Sequence, residues 1–188
     1  MILEKTEIKE SKGIKIVGLT GTNGSGKGEI GAYLKKKSFS YYSLSDLIRE
    51  ELIRNREEIT RNHLIQMGNK MREEYGADIL ARRVMDRIQN KAVIDSIRNT
   101  KEVEFLKKQD GFILIAIDAP SKIRHERVRK RGRNESAETL EEFLAKEKEE
   151  MTSNEKGQQL KLCMKMADHT IINDGTLEEL FSKVEALI

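Results

Sequence analysis

Residues 15–30 read Lys-Ile-Val-Gly-Leu-Thr-Gly-Thr-Asn-Gly-Ser-Gly-Lys-Gly-Glu-Ile, and this run decides the fold. Ile16 to Leu19 is a short apolar strand, a loop carrying Gly21, Gly24 and Gly26 follows, and from Lys27 the spacing becomes helical. Glycines let the backbone curl until successive N–H groups face one anion, and the positive end of the next helix faces it too. Lys27 adds a compact charge suited to β- and γ-phosphates. Gly21 to Lys27 fills the first seven positions of G-x-x-x-x-G-K-[ST], whose eighth residue offers a hydroxyl to Mg²⁺. Position eight here is Gly28, followed by Glu29. The expected ligand is a nucleotide polyphosphate, cradled by Gly21, Asn23, Gly24, Ser25, Gly26, Lys27, Gly28 and Glu29.

The chain has 188 residues, enough for a single domain with a substantial core. We expect a lead-in over 1–13 and the nucleotide-binding domain over 14–188. Charged residues make up 36% of the chain, yet the formal net charge is only +3. Near balance of acids and bases argues against nucleic acid as the partner, so any work done by arginines must be local. Cys163 is the single cysteine, which excludes an intramolecular disulfide, a Cys-rich zinc site and a paired redox motif. Leu162, Met164 and Met166 around it point to a buried thiol. No stretch is long and apolar enough to span a membrane and Met1 to Gly13 is not a secretory signal, so a soluble, cytoplasmic protein is expected.

Beyond the first helix, Phe39 to Leu44 reads as a strand and Ser45 opens a helix with Leu47, Ile48, Leu52 and Ile53 at helical spacing. Helices are expected over 60–74 and 77–90, with Arg82 and Arg83 on the surface. Ala92 to Asp95 is a short buried strand, and Asn99 with Glu102 has capping-box spacing. Phe112 to Asp118 is the most apolar run. Its continuity suits a strand covered on both faces of a parallel sheet. Pro120 starts a helix ending in a basic run, in which Arg124, Arg129 and Lys130 read as solvated positions. Thr139 with Glu142 marks another helix, whose apolar stripe of Leu140, Phe143, Leu144 and Met151 is thin. Thr170 to Asn173 is the last strand, and Thr176 with Glu179 caps the final helix. This alternation argues for a doubly wound α/β sheet with its ligand crevice at the carboxyl ends of the strands.

Segments just past those strand ends carry Lys27, Asp46 with Arg49, Asp95 with Arg98, and Asp118 leading to Arg127 and Arg131. Arginines clamp phosphate oxygens through paired hydrogen bonds, and acids hold Mg²⁺ through water. Phosphoryl transfer needs that set, because its catalysis is mainly positioning plus charge neutralisation. His63, His125 and His169 share no metal-binding spacing and read as structural.

From Gly13 onward the chain resembles the nucleoside-monophosphate kinase family. The resemblance rests on the glycine after Lys27, an Asp-x-x-Arg at Asp46 and Arg49, the pair Asp95 and Arg98, and Arg-x-x-x-Arg at Arg127 and Arg131. It is similar more narrowly to archaeal dephospho-CoA-kinase-like proteins and to kinase-like domains found beside deoxycytidylate deaminases. Those matches run through Tyr41 to Asp46, Val93 to Asn99, Ile117 to Pro120, Met166 to Asp168 and Asn173 to Gly175. The resemblance implies a five-stranded parallel sheet of order 2-3-1-4-5, with acceptor-binding helices over about 45–91 and a small helical lid over about 131–157. It implies ATP and Mg²⁺ as cofactors, with Asp95 near the metal through water. Asp46, Arg49 and Arg98 would bind a small nucleotide acceptor, Arg127 and Arg131 would act on the transferring phosphoryl, and backbone groups at Asn173 and Gly175 would meet adenine. A homo-oligomer, or association with another nucleotide-metabolism enzyme, is compatible with it.

Three functional classes stay open at this point. The first is an ATP-dependent kinase acting on a nucleoside monophosphate, or on a ribose hydroxyl as in dephospho-CoA kinase, where Asp46 would assist deprotonation. The second is a nucleotide-binding regulatory or assembly module, suggested by Gly28-Glu29 in place of a hydroxyl. The third, a factor acting on RNA or ribosomes, rests only on the basic helix end.

Overall fold

The computed structural model describes residues 15–132, 139–151 and 158–188. The expected lead-in over 1–13, and the lid residues 133–138 and 152–157, lie outside the described residues. Five strands form one parallel sheet: β1 Ile16–Gly21, β2 Ser40–Ser43, β3 Ala92–Asp95, β4 Phe112–Asp118 and β5 His169–Ile172. Their order is β2-β3-β1-β4-β5, which agrees with the topology the resemblance implied. β1 is central, with Gly18 opposite Ile94 of β3 on one side and Leu114 of β4 on the other.

Alternate residues of each strand feed two cores, as a period of two demands. Val17, Leu19, Ile113, Ile115 and Ile117 face helices α1 (Lys27–Lys36) and α9 (Leu177–Glu185), meeting Ile30, Leu34, Leu180 and Val184. Ile16, Ile94 and Leu114 face the opposite layer. That layer holds α2 (Leu44–Arg54), α3 (Arg61–Tyr75), α4 (Ile79–Met85), α5 (Thr100–Leu106) and α8 (Leu160–Lys165). β4 is buried on both faces, which is why its sequence is continuously apolar.

Some boundaries move. β2 stops at Ser43 and α2 begins at Leu44, α4 ends at Met85, short of the helix expected to run to residue 90, and β5 runs from His169 to Ile172. α8, a helix of only six residues, is too short to show a periodic stripe and was not expected. Cys163 of α8 is fully buried as expected, although its neighbour Leu162 is exposed.

The remaining helices are α6 (Ser121–Arg131) and α7 (Leu140–Glu150). α7 buries more than its thin stripe suggested, because Phe143 is fully enclosed against Val128 of α6. The capping boxes expected at Asn99, Thr139 and Thr176 all form. Among the described residues no helix is long and apolar enough to cross a membrane.

Candidate phosphate-transfer site

The loop between β1 and α1 is built around two glycines with positive φ. Gly24 has φ 78° and Gly26 φ 106°, a region that costs an L-residue energy. Space forbids a side chain as well: a Cβ at Gly24 would lie 2.6 Å from the Arg124 carbonyl oxygen, and one at Gly26 would lie 2.4 Å from Asn173 Nδ2. Gly28 differs, since a Cβ there would meet nothing within 4 Å. Gly26 is the N-cap of α1, so the helix directs its positive end at the loop.

Side chains from three directions hold the loop's carbonyls. Lys27 is buried and its Nζ donates to the Gly21 and Thr22 oxygens, each at 2.8 Å. Asn173 Nδ2 donates to the Ser25 oxygen at 2.8 Å. Arg124 Nη1 reaches the Asn23 oxygen at 3.4 Å. Thr22 Oγ1 donates to Asp118 Oδ1 at 2.7 Å, tying the loop to the end of β4. A trans peptide places its C=O and its N–H on opposite sides, so drawing carbonyls outward turns amides inward. The buried Ser25 hydroxyl has no hydrogen-bond partner among the described residues, and it belongs to the loop that would receive phosphate oxygens.

The loop forms one wall of a cavity of about 690 Å³. From the expected set, Asn23, Gly24, Ser25, Gly26, Lys27, Gly28, Glu29, Asp46, Arg49, Asp95, Arg98, Arg127, Arg131 and Asn173 all line this cavity. Gly21 and Gly175 are not among its lining. Gly21 ends β1 against the Ile117 backbone, and Gly175 leaves room for the Glu179 carboxylate of the α9 capping box. Asn173 is nearly fully buried, and its side chain braces the loop.

At the far wall, Arg49 Nη1 donates to Asp46 Oδ1 and to Ser45 Oγ, both at 2.9 Å. Asp95 ends β3 at 6% exposure, with Tyr41 OH donating to Oδ2 at 2.7 Å and the Ser96 N–H donating to Oδ1. A carboxylate accepts about four hydrogen bonds. Asp95 therefore retains capacity for metal-bound water, and the Ser43, Ser45 and Ser96 hydroxyls beside it form a polar rim. These residues fit a hydrated Mg²⁺ better than a directly ligated one. Among the described residues no group of three or more His, Cys, Asp or Glu could hold a metal by itself.

Arg98 Nη1 donates to Gln158 Oε1 at 3.0 Å, and the Arg98 backbone N–H donates to Glu102 Oε2 at 3.0 Å. On the α6 side, Arg127 Nη1 donates to the Asn173 oxygen at 3.2 Å and Arg131 Nη2 lies 3.4 Å from Asn23 Oδ1.

Arg61 and Arg72 join the expected residues at this site. Both are buried residues of α3 and both line the cavity. Arg72 gives Nε and Nη2 to Glu102 Oε1 at 3.0 and 2.9 Å. Nothing local marks them, because a buried arginine and a solvated one look alike until the partner carboxylate is placed. Arg124 is a correction: expected in solvent, it is 5% exposed and paired with Glu147 of α7. Arg82 and Arg83 are partly exposed surface residues, as expected.

A family described as an AAA domain matches residues 17–161. A UPF0200 protein from Sulfurisphaera tokodaii is 35% identical over 177 residues, covering 93% of this chain and 96% of the relative. Another UPF0200 protein, from Thermococcus gammatolerans, is 31% identical over 182 residues, covering 92% and 93%. Among solved structures, TT1252 from Thermus thermophilus superposes with a TM-score of 0.63 at 22% identity, covering 94% of this chain and 97% of that one. Shikimate kinase from Acinetobacter baumannii, in complex with shikimate, superposes with a TM-score of 0.60 at 17% identity, covering 94% and 93%. At such identities the structural likeness establishes the fold, that of the P-loop kinases.

Proposed function

We propose that this chain, which belongs to the AAA domain family and to the UPF0200 proteins, is an ATP-dependent phosphotransferase acting on a small nucleotide-type acceptor, a nucleoside or deoxynucleoside monophosphate. The observation that carries the reading is where charge collects. Among the described residues eight basic and three acidic side chains line the cavity, a net of +5, or +4 once Arg72 is set against its buried partner Glu102, whereas the whole chain sums to +3. A cleft more positive than the chain that contains it suits two phosphorylated ligands together better than one neutral alcohol.

In this reading the ATP phosphates lie on the amides of residues 24–28 beside Lys27. Asp95 would hold Mg²⁺ through water, and the ion would supply neutralisation of charge on the phosphoryl oxygens. Arg49 and Arg98 orient the acceptor, and Arg127 and Arg131 stabilise charge on the transferring group. An acceptor phosphate is already ionised and needs no base. Asp46 would be required as one only for a ribose hydroxyl, the dephospho-CoA kinase type of acceptor. A second reading, a nucleotide-binding regulatory module with little turnover, is favoured by one observation: Gly28 offers no hydroxyl at position eight of the loop.

ADP release from MgATP with a panel of nucleoside monophosphates and dephospho-CoA separates the two. The proposal expects acceptor-stimulated turnover that falls on the order of 10²-fold or more in Lys27→Ala, the scale for removing one preorganised charge-stabilising donor. ADP and ATP binding without turnover on any acceptor would favour the regulatory module. No nucleotide binding at all would refute both.

A further inference from the structure

We propose that Arg124, locked by Glu147 of α7, is a positioning residue for the phosphate loop: it fixes the Asn23–Gly24 peptide so that the Gly24 amide faces the nucleotide. This rests on the phosphotransfer reading and assigns a role to a residue outside the cavity lining. Arg124 is 5% exposed, and each of its three guanidinium nitrogens donates at least one hydrogen bond. Nε donates to the Ala119 oxygen at 2.6 Å, Nη1 to Glu147 Oε1 at 2.6 Å and to the Asn23 oxygen at 3.4 Å, and Nη2 to Glu147 Oε2 at 3.1 Å. Its carbon lies 5.5 Å from the centre of the Phe143 ring, also on α7.

One side chain thus joins the end of β4, the phosphate loop and α7. The Asn23 carbonyl and the Gly24 N–H belong to the same planar peptide, so holding the carbonyl on Arg124 directs the amide to the other side. Gly24 lines the cavity, and the Arg124 backbone abuts it so closely that no Cβ fits between them. At 3.4 Å the bond to Asn23 is long, and it depends on the guanidinium staying where it is. Glu147, with both oxygens on the fork and only 9% exposure, supplies that constraint in the bidentate geometry that fixes an arginine best. Seating of α7 is thereby linked to the affinity of the loop for phosphates.

Truncating one member of a buried ion pair risks unfolding, whereas replacing both by apolar side chains is often neutral for stability. The test is therefore calorimetric titration of the full chain with ADP and, separately, with pyrophosphate in magnesium buffer. Glu147→Gln, which keeps one hydrogen-bond acceptor, is compared with the double variant Arg124→Met/Glu147→Leu. The double variant should fold, with a Tm lowered only by the Ala119 carbonyl left without its donor, and lose affinity for both probes by about tenfold, the worth of one charge-assisted hydrogen bond. Glu147→Gln should lose about threefold on the same scale. Equal losses for ADP and pyrophosphate locate the effect at the phosphates. If the double variant binds both probes within twofold of the parent, or, should it fail to fold, if Glu147→Gln does so, the positioning role is refuted and the phosphotransfer reading stands. A parent chain that binds neither probe would overturn the reading itself.

Discussion

Replacing Glu102 by alanine removes one fully buried carboxylate that answers four donors. Oε1 accepts Arg72 Nε and Nη2 at 3.0 and 2.9 Å, while Oε2 accepts the backbone amides of Arg98 and Asn99, each at 3.0 Å. The variant strands the Arg72 guanidinium, itself 4% exposed, and opens the capping box of α5. Breaking a buried pair from one side costs about 3–5 kcal/mol. The orphaned amides add roughly 1 kcal/mol, the worth of a cap. A total near 4–6 kcal/mol corresponds to a fall in Tm of very roughly 8–24 °C at about 2–4 °C per kcal/mol for a chain of this size. The double variant Arg72→Met/Glu102→Leu should recover most of this, retaining only the cap deficit, because no buried charge is then left alone. Urea unfolding followed by circular dichroism reads the difference as a shift in midpoint at constant slope. A Glu102→Ala cost below about 1 kcal/mol, the value of an ordinary exposed pair, would refute the claim that this carboxylate is the hub joining α3, α5 and the Arg98 loop.

Gly28→Ser puts a hydroxyl at position eight without a clash, and serine in place of glycine near the start of α1 should stabilise by about half a kcal/mol. If the missing hydroxyl limits metal use, the Mg²⁺ concentration needed for half-maximal ADP release will fall; an unchanged Mg²⁺ titration would show that it does not. Burial of Asp168 by itself raises its pKa, but the ammonium of Lys107 at 2.7 Å and the Leu114 amide at 2.8 Å outweigh that and leave it lowered. A depressed carboxylate stabilises the fold above its unfolded value of about 3.9 and ceases to do so as pH falls through the lower folded value. Acid titration of stability should accordingly be flatter below pH ~4 in Asp168→Asn than in the parent, and identical profiles would contradict the assignment. Burial pushes the Cys163 thiol up to about 12, with the neighbouring Glu102 charge adding to it. The native protein should therefore resist a thiol reagent at pH 8 and react fully once unfolded in urea; rapid native labelling would mean that α8 is not seated as described.

Local chemistry makes much of this molecule legible in its sequence. Spaced glycines between an apolar run and a lysine have few other uses, so the loop from Gly21 to Gly28 could be read directly, and β4 announced its burial by being apolar from Phe112 to Ile117. The pattern Asp46-x-x-Arg49 closes an i,i+3 pair within one helical turn, which needs no tertiary information. Capping boxes at Asn99, Thr139 and Thr176 were visible for the same reason, since both partners lie three residues apart.

Arg61, Arg72 and Arg124 belong to the other class. Each sits in a charged helix whose composition suggests solvent, and each is buried. For Arg72 and Arg124 the partners are Glu102, 30 residues on, and Glu147, 23 residues on, separations at which sequence carries no geometric signal. Asn173 likewise became a brace for the phosphate loop through a contact spanning 148 residues. The amino-acid sequence alone determined the alternation of strands and helices, the glycine loop after β1 and the kinds of charge that follow the strand ends, because those rest on backbone freedom and periodicity between near neighbours. Only the tertiary structure decided which arginines face the cavity and which hold the loop, because burying a charge is tolerable solely where folding delivers its distant counter-charge.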